Sequence, residues 1–340
     1  MNTERRILRR ISPRRAAVTA ASGALALTTV LTTGLALAGP AGASTLTSSG
    51  YQFQTLNNNR DVTFNQLLGV NNEGVIAGYF GSGAQGHPNQ GYLRLPNGSY
   101  LNENVPGSVQ TQVTGLNDRG VTVGFSAQLN NANQVNDNSG FYAAGGRFHT
   151  VNFPTGDNAS PPVDQLLGVN DHDVAVGFYT NGQGSNRGYT YDIRTHQFTR
   201  VLVPGAPAGQ DQGSGPSLTA AGINNRGDVT GFYAASSTQT DAFLRLSYGR
   251  FLTLAVPGAS MTQALGVNDS DEVVGVYTVG SADNAQTHGF TWRPGYGFRT
   301  VDDPHGIGAT TINGVNDAGV LVGFYTDAAG NTDGMIAQPR

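Results

Sequence analysis

Apolar and polar positions recur in a block that is repeated six times along the chain. Each block is two short apolar runs around a tight polar turn, as in Leu265-Gly266-Val267-Asn268-Asp269-Ser270-Asp271-Glu272-Val273-Val274-Gly275-Val276-Tyr277. Copies begin at Gly69, Gly115, Gly168, Gly222, Gly266 and Gly314, and a second glycine follows nine residues later in every copy. The turn reads Asn-Asn or Asn-Asp, one residue, then Gly, as in Asn71-Asn72-Glu73-Gly74 and Asn316-Asp317-Ala318-Gly319. Such a turn fits a hairpin whose last loop residue has φ > 0, a conformation glycine adopts without strain. Asp173 and Asp271 hold that place in two copies, and Asp tolerates the left-handed region better than most residues. The second run is apolar at successive positions (Val174-Ala175-Val176, Val320-Leu321-Val322), so it is expected to be buried on both faces.

Two further strand patterns follow in most copies. The third includes Gly188-Tyr189-Thr190-Tyr191 and Gly289-Phe290-Thr291-Trp292; the fourth reads Phe-x-Thr-Val/Leu, as in Phe148–Val151, Phe251–Leu254 and Phe298–Val301. Successive copies start 46, 53, 54, 44 and 48 residues apart. Four strands in roughly 40–50 residues is the period of a propeller blade. The pattern therefore predicts an all-β chain, a six-bladed β-propeller of four-stranded antiparallel blades spanning residues 44–340. The sixth copy has no fourth strand of its own. An orphan segment with the fourth-strand pattern, Tyr51–Leu56, precedes the first copy. It is expected to pair with Gly334–Ala337 and close the ring, because an open seam would leave a row of unpaired backbone groups.

Connection lengths divide in two. First-to-second connections never vary, and third-to-fourth connections vary little. Second-to-third and blade-to-blade connections vary most, with insertions over 127–138, 154–165 and 205–217. In an up-down blade the two variable classes share one end of the strands. One face then carries the diversity, and loops over a rigid scaffold are where binding residues concentrate. His305 with Asp302 and Asp303 is the densest polar cluster on that face; His87, Asp164 and Asp211 join it as candidate ligand-binding residues. The face's acids, Asp157, Asp164, Asp211, Asp302 and Asp303, are also the material for a carboxylate pair in a glycosidase-type enzyme. On the other face the six turn residues Asn71, Asn117, Asn170, Asn224, Asn268 and Asn316 are read as caps of their own turns, with a polar ring lining a channel as the alternative.

Composition narrows the chemistry. Cys is absent and all 19 basic residues are Arg, which excludes thiol catalysis, Cys metal sites and Lys Schiff-base chemistry. No His-x-His or His-Glu-x-x-His spacing supports zinc, no Gly-x-Ser-x-Gly elbow is present, and one Asp per turn falls short of a calcium loop. No cofactor, metal or catalytic residue is assigned.

Residues 1–43 read as a signal peptide: six Arg residues from Arg5 to Arg15, an apolar run from Ala16 to Ala38, and a small-residue cleavage site at Ala41-Gly42-Ala43. The Sec route is favoured over twin-Arg. Cleavage takes away six Arg and Glu4, leaving 13 Arg against 22 acids, a net charge of −9. That balance disfavours nucleic acid and anionic lipid as partners. A secreted monomer without a membrane anchor is expected.

The repeat resembles the secreted bacterial HAF-repeat family, whose units read Gly-Ile-Asn-Asp-x-Gly-x-Val-Val-Gly-x-Tyr followed by His-Ala-Phe or His-Gly-Phe. The resemblance covers residues 51–340 and implies no particular activity. Only His288-Gly289-Phe290 keeps the histidine; the other copies carry Gln90, Ser139, Arg187, Asp241 and Asp333 there. The expected function is an extracellular binding scaffold that engages a glycan or protein through its variable face. The competing expectation is an extracellular carbohydrate-active enzyme, a hydrolase or lyase using loop carboxylates.

Overall fold

The structure is a computed structural model. It describes residues 50–129, 135–154, 159–160, 162–204, 215–280 and 284–340. Residues 1–43, read above as a signal peptide, and Asp157 and Asp211 lie outside the described residues. No α-helix occurs among the described residues.

The chain folds into antiparallel strands, four to a repeat. They are β1 (Tyr51–Thr55); β2 (Asn65–Val70), β3 (Ile76–Phe80), β4 (Gln90–Arg94) and β5 (Tyr100–Asn102); β6 (Gln110–Leu116), β7 (Thr122–Leu129), β8 (Val135–Ala144) and β9 (Arg147–Val151); and β10 (Asp164–Val169), β11 (Val174–Thr180), β12 (Asn186–Asp192) and β13 (Gln197–Arg200). There follow β14 (Leu218–Ile223), β15 (Val229–Ala234), β16 (Thr240–Arg245) and β17 (Phe251–Leu254); β18 (Met261–Val267), β19 (Val273–Val279), β20 (Gln286–Arg293) and β21 (Gly297–Thr300); and β22 (Thr310–Val315), β23 (Leu321–Thr326) and β24 (Thr332–Pro339).

Three four-stranded sheets run in chain order, β2–β5, β6–β9 and β10–β13. A fourth has the order β1-β24-β23-β22, so the orphan strand completes the last repeat. Its register pairs Tyr51 with Pro339 and Thr55 with Met335, and Leu56 N–H continues it to Gly334 O at 2.8 Å. The remaining eight strands form one sheet. Its halves, β14–β17 and β18–β21, meet through a single parallel pair, Thr240↔Met261. Isolated parallel bridges join other neighbouring repeats at Phe64↔Thr332, Asn138↔Val163 and Thr287↔Ala309.

The two repeated glycines have different structural causes. Every first strand bulges one residue before its first glycine, for example between Leu166 and Gly168. A Cβ on that glycine would lie 3.0–3.4 Å from the next repeat's glycine Cα, in the closed order Gly69, Gly115, Gly168, Gly222, Gly266, Gly314 and back to Gly69. Backbones thus touch around a common axis, which only a residue without Cβ permits. The second glycine instead lets β-partners within one sheet approach. A Cβ on Gly275 would lie 1.9 Å from Gln263 O, and one on Gly177 2.0 Å from Gln165 O.

The turns are as the pattern predicts. Gly74, Gly120, Gly227 and Gly319 have φ between 75° and 82°, and Asp173 and Asp271 adopt 60° and 59°. The core lies between sheets rather than at one centre. Val123 and Tyr142 of the second repeat pack with Leu166 and Tyr189 of the third, and Val274 and Val301 of the fifth pack with Ile312 and Leu321 of the sixth. The result is a propeller-like all-β fold in which two classes of connection share one end of the strands. Gly81 N–H bonds Phe64 O at 3.1 Å, tying a second-to-third loop to a repeat-to-repeat loop, and Val109 N–H of the β5–β6 connection bonds Ala127 O of β7 at 2.9 Å.

Candidate functional site

The variable face is organised by one recurring latch. Where the chain leaves a fourth strand for the next repeat, a backbone N–H is held by a polar side chain at the head of the coming first strand. Val105 N–H bonds Thr111 Oγ1 at 3.1 Å, Val256 N–H bonds Thr262 Oγ1 at 3.1 Å, and Asp303 N–H bonds Thr310 Oγ1 at 3.2 Å. Asn65 Oδ1 holds Asn58 N–H at 2.8 Å. Asp164 is the latch of the third repeat: its Oδ2 accepts Phe153 N–H at 2.6 Å and its Oδ1 accepts the Tyr189 hydroxyl. It is buried, and burial pushes its carboxyl up to about 7, against the lowering effect of those two bonds. Asp164 is thus turned into the protein rather than towards solvent.

Asp303 occupies the place held by Val105, Phe153 and Val256 in other repeats. Its side chain is fully buried while that of His305 is 65% exposed. Asp303 Oδ1 accepts both His305 N–H and Nδ1–H, each at 2.9 Å, and Oδ2 is buried with no hydrogen-bond partner. A buried carboxylate on Nδ1 sets the tautomer and orientation of the ring and leaves Nε2 as the nitrogen for a ligand. The ring of Tyr325 lies 6.2 Å from the imidazole.

Asp302, the neighbour of Asp303, faces the other way. Its Oδ2 pairs with His288 Nδ1 at 2.8 Å and its Oδ1 accepts Gly289 N–H at 3.2 Å. The bond from Asp302 raises the His288 pKa, and Tyr277 stacks on the ring at 5.2 Å. His87 lies at the junction of the sixth and first repeats, exposed, with Nδ1 3.4 Å from Asp61 Oδ2. Asp302, Asp303 and His305 therefore share one junction, whereas His87 and Asp164 belong to others. No hydrogen bond links the three His–Asp pairs to one another.

Sequence reasoning missed a radial stripe on this face. The Tyr two residues after the second glycine meets the Thr of the Phe-x-Thr pattern in three repeats: Tyr325–Thr55 at 2.8 Å, Tyr277–Thr300 at 2.7 Å and Tyr233–Thr253 at 3.2 Å. In the third repeat Arg200 Nη2 bonds Tyr179 Oη instead, at 3.0 Å, and stacks over Phe153 at 5.2 Å. The signal was present in the recurrence of both residues, but it needs the strand order to be read.

The opposite face holds the axial site. Asn71 Oδ1 caps its own turn at Val75 N–H, 2.9 Å, while its Nδ2 donates to Asn117 O at 3.2 Å. The same Nδ2 bond runs from Asn117 to Asn170, Asn224, Asn268, Asn316 and back to Asn71 O. Cap and ring are thus one residue's two ends. A second ring lies over the first, with each backbone N–H donating to the next repeat's side chain: Asn72, Asp118, Asp171, Asn225, Asp269, Asp317 and back to Asn72. Asn72 Nδ2 bridges Asp118 and Asp317, and Asn225 Nδ2 bridges Asp171 and Asp269. The rings line a polar pocket of 90 Å³. Every carboxylate oxygen of the four Asp residues accepts a bond within the ring, so the arrangement binds repeats together. Among the described residues no group of three His, Cys, Asp or Glu side chains is placed to hold a metal ion.

No protein-family model matches the chain, and no curated protein sequence matches it. Solved structures do. AofleA from Arthrobotrys oligospora aligns over 86% of this chain and 90% of its own, with a TM-score of 0.52 at 10% identity. A streptogramin B lyase aligns over 86% and 98%, with a TM-score of 0.47 at 10% identity. The β-propeller domain of the Trilobed protease from Pyrococcus furiosus aligns over 82% and 96%, with a TM-score of 0.44 at 8% identity. At such identity the likeness concerns the fold alone.

Proposed function

We propose that the chain is a secreted, six-bladed β-propeller of the HAF-repeat type and acts as an extracellular binding scaffold through its variable face. Six blades are supported by the two hydrogen-bonded rings and the glycine ring, each of which closes after six repeats. On this reading the eight-stranded sheet is two blades touching at one bridge.

The observation that carries the binding reading is the Asp303–His305 pair. A fully buried carboxylate holds a solvent-facing imidazole in one orientation, which makes it a preorganised polar contact. Of the acids singled out on this face, the three that are described are engaged elsewhere: Asp164 in a latch, Asp302 with His288 and Asp303 with His305. A glycosidase needs two carboxyl groups flanking one bond, and these three are each committed to a different partner.

The second reading, a carbohydrate-active enzyme, draws on the same pair, since a carboxylate-oriented imidazole is also the geometry of a general base. One experiment separates them. The protein is run through affinity gels containing a panel of plant and microbial polysaccharides, and the same panel is assayed for released sugar ends. Retention that His305→Ala abolishes, without released product, is the expected result. Retention indifferent to His305→Ala removes the binding reading, and product release that requires His305 replaces it with the enzymatic one.

A further inference from the structure

The cleft between the fifth and sixth repeats opens, on the short-turn face, into a groove of 510 Å³. That volume falls in the roughly 300–1,000 Å³ range of small-ligand sites. Its walls include Tyr51, Glu272, Arg293, Tyr296, Arg299 and Arg340. Three guanidinium groups thus face a single side-chain carboxylate, on a chain whose net charge is −4.

The repeats serve as their own comparison, and the groove is one of two places where they depart from a common valine. The position of Glu272, four residues after the turn Asn, is Val75, Val121, Val174 and Val320 in four other copies. The fourth copy has Asp228 there, bonded to Arg226 and to Ser247 N–H. Glu272 is 4% exposed and its Oε2 takes Arg293 Nη2 at 2.6 Å. Glu272 is buried but the Arg293 side chain is half exposed, so the desolvation of the carboxylate offsets much of the attraction and the valine of four other repeats serves stability as well. What it does here is fix the Arg293 guanidinium at the groove wall with donors to spare.

Two further features build on that anchor. Gly50 leaves the room that Arg299 occupies: a Cβ there would sit 2.9 Å from Arg299 Nη2. Tyr296 projects from the β20–β21 turn with 88% of its surface exposed. An unburied aromatic ring beside the held Arg293 guanidinium has no packing role in the fold.

We infer that this groove binds a carboxylate-bearing sugar chain, with Arg293 and Arg299 taking the carboxylate and Tyr296 stacking on a sugar ring. Guanidinium–carboxylate pairing is bidentate and directional, and a tyrosine ring offers an apolar face to the sugar with a polar edge. An acidic peptide fits less well. Pro339 is the one aliphatic side chain in the lining, whereas peptide recognition rests on anchors in apolar pockets. The site lies on the face opposite His305 and does not rest on the role proposed for that residue.

The test uses the folded protein with three probes: sodium polygalacturonate, its fully methyl-esterified form, and poly-glutamate. Retention by polygalacturonate in affinity electrophoresis is expected, weakened at least about tenfold by esterification or by Arg299→Ala, as loss of a charge-assisted contact implies. The double variant Glu272→Val with Arg293→Leu restores the residues found in the first repeat, Val75 and Leu95. It should keep its melting temperature and lose retention. His305→Ala should leave retention unchanged. The inference is overturned by no retention of polygalacturonate, by retention indifferent to Arg299→Ala and to the double variant, or by loss in His305→Ala instead. Equal, Arg299-dependent retention by poly-glutamate would overturn the sugar assignment.

Discussion

Replacing Asp164 by Asn should stabilise the protein, and by an amount that depends on pH. Burial lifts the Asp164 carboxyl from its ordinary 3.8 to about 7 in the folded state. Below 3.8 the group is neutral both folded and unfolded and has no effect on stability. Between 3.8 and 7 the unfolded chain releases the proton and the native protein keeps it, so stability falls as pH rises. Above 7 the native carboxylate is ionised and the full cost is present. At 1.36 kcal/mol per pH unit that cost is about 4 kcal/mol, against a typical total stability of roughly 5–15 kcal/mol. Asn has no such charge, and Asn65 already performs this latch in the first repeat. Urea melts of wild type and Asp164→Asn at pH 4, 6 and 8 test this. The advantage of Asn should grow by about 4 kcal/mol from pH 4 to pH 8. A difference between the two proteins that stays flat across that range would refute the reasoning, because any fixed packing cost of Asn is independent of pH.

Gly319→Val places a β-branched residue at φ 75° and should cost about 1–2 kcal/mol, read as a lowered urea midpoint. Gly323→Ala should cost more although the added group is smaller, since its Cβ would meet Thr311 O at 1.9 Å; equal midpoints would contradict the assigned roles of the two glycines. Deleting residues 44–57 removes β1 and exposes the edge of β24, so size-exclusion chromatography should show aggregates, and an unchanged monomer would count against β1 as the closing strand. N-terminal sequencing of exported protein should begin at Ser44, and an unprocessed cytoplasmic chain starting at Met1 would contradict the signal-peptide reading.

Strands, turns and the closing strand were legible because each leaves a local mark. Period-two and continuous apolar runs mark strands, Asn-x-x-Gly marks the turn, and the unmatched Phe53-x-Thr55 marks a strand without a sheet. The cap made by each turn Asn was legible for the same reason, since the backbone N–H that its Oδ1 accepts is four residues away. The other half of that side chain was not: Nδ2 donates to a residue 44–54 positions distant, or 245 across the closure, and nothing local records it. The partners of Asp118 and its counterparts, a backbone N–H and a side-chain amide of neighbouring repeats, are as distant in sequence and leave no local mark either. Asp164 and Asp303 look alike in sequence as acids in variable loops, yet one is a latch and the other an anchor for His305. What distinguishes them is the position each takes relative to the neighbouring first strand. Glu272 was visible as a break in a run of valines, but its meaning depends on Arg293 lying opposite across the hairpin.

The pairing of β1 with β24 sets the order in which this protein is finished. Residues made first, Tyr51–Thr55, have no mate until residues 335–339 exist. Each intermediate repeat can assemble from its own stretch of chain, but the circle remains a horseshoe with two raw ends until synthesis is complete. Contacts this distant in sequence are slow to form. The first strand is therefore a delayed fastener: the chain acquires its full stability only once its last strand has been made and has found its first.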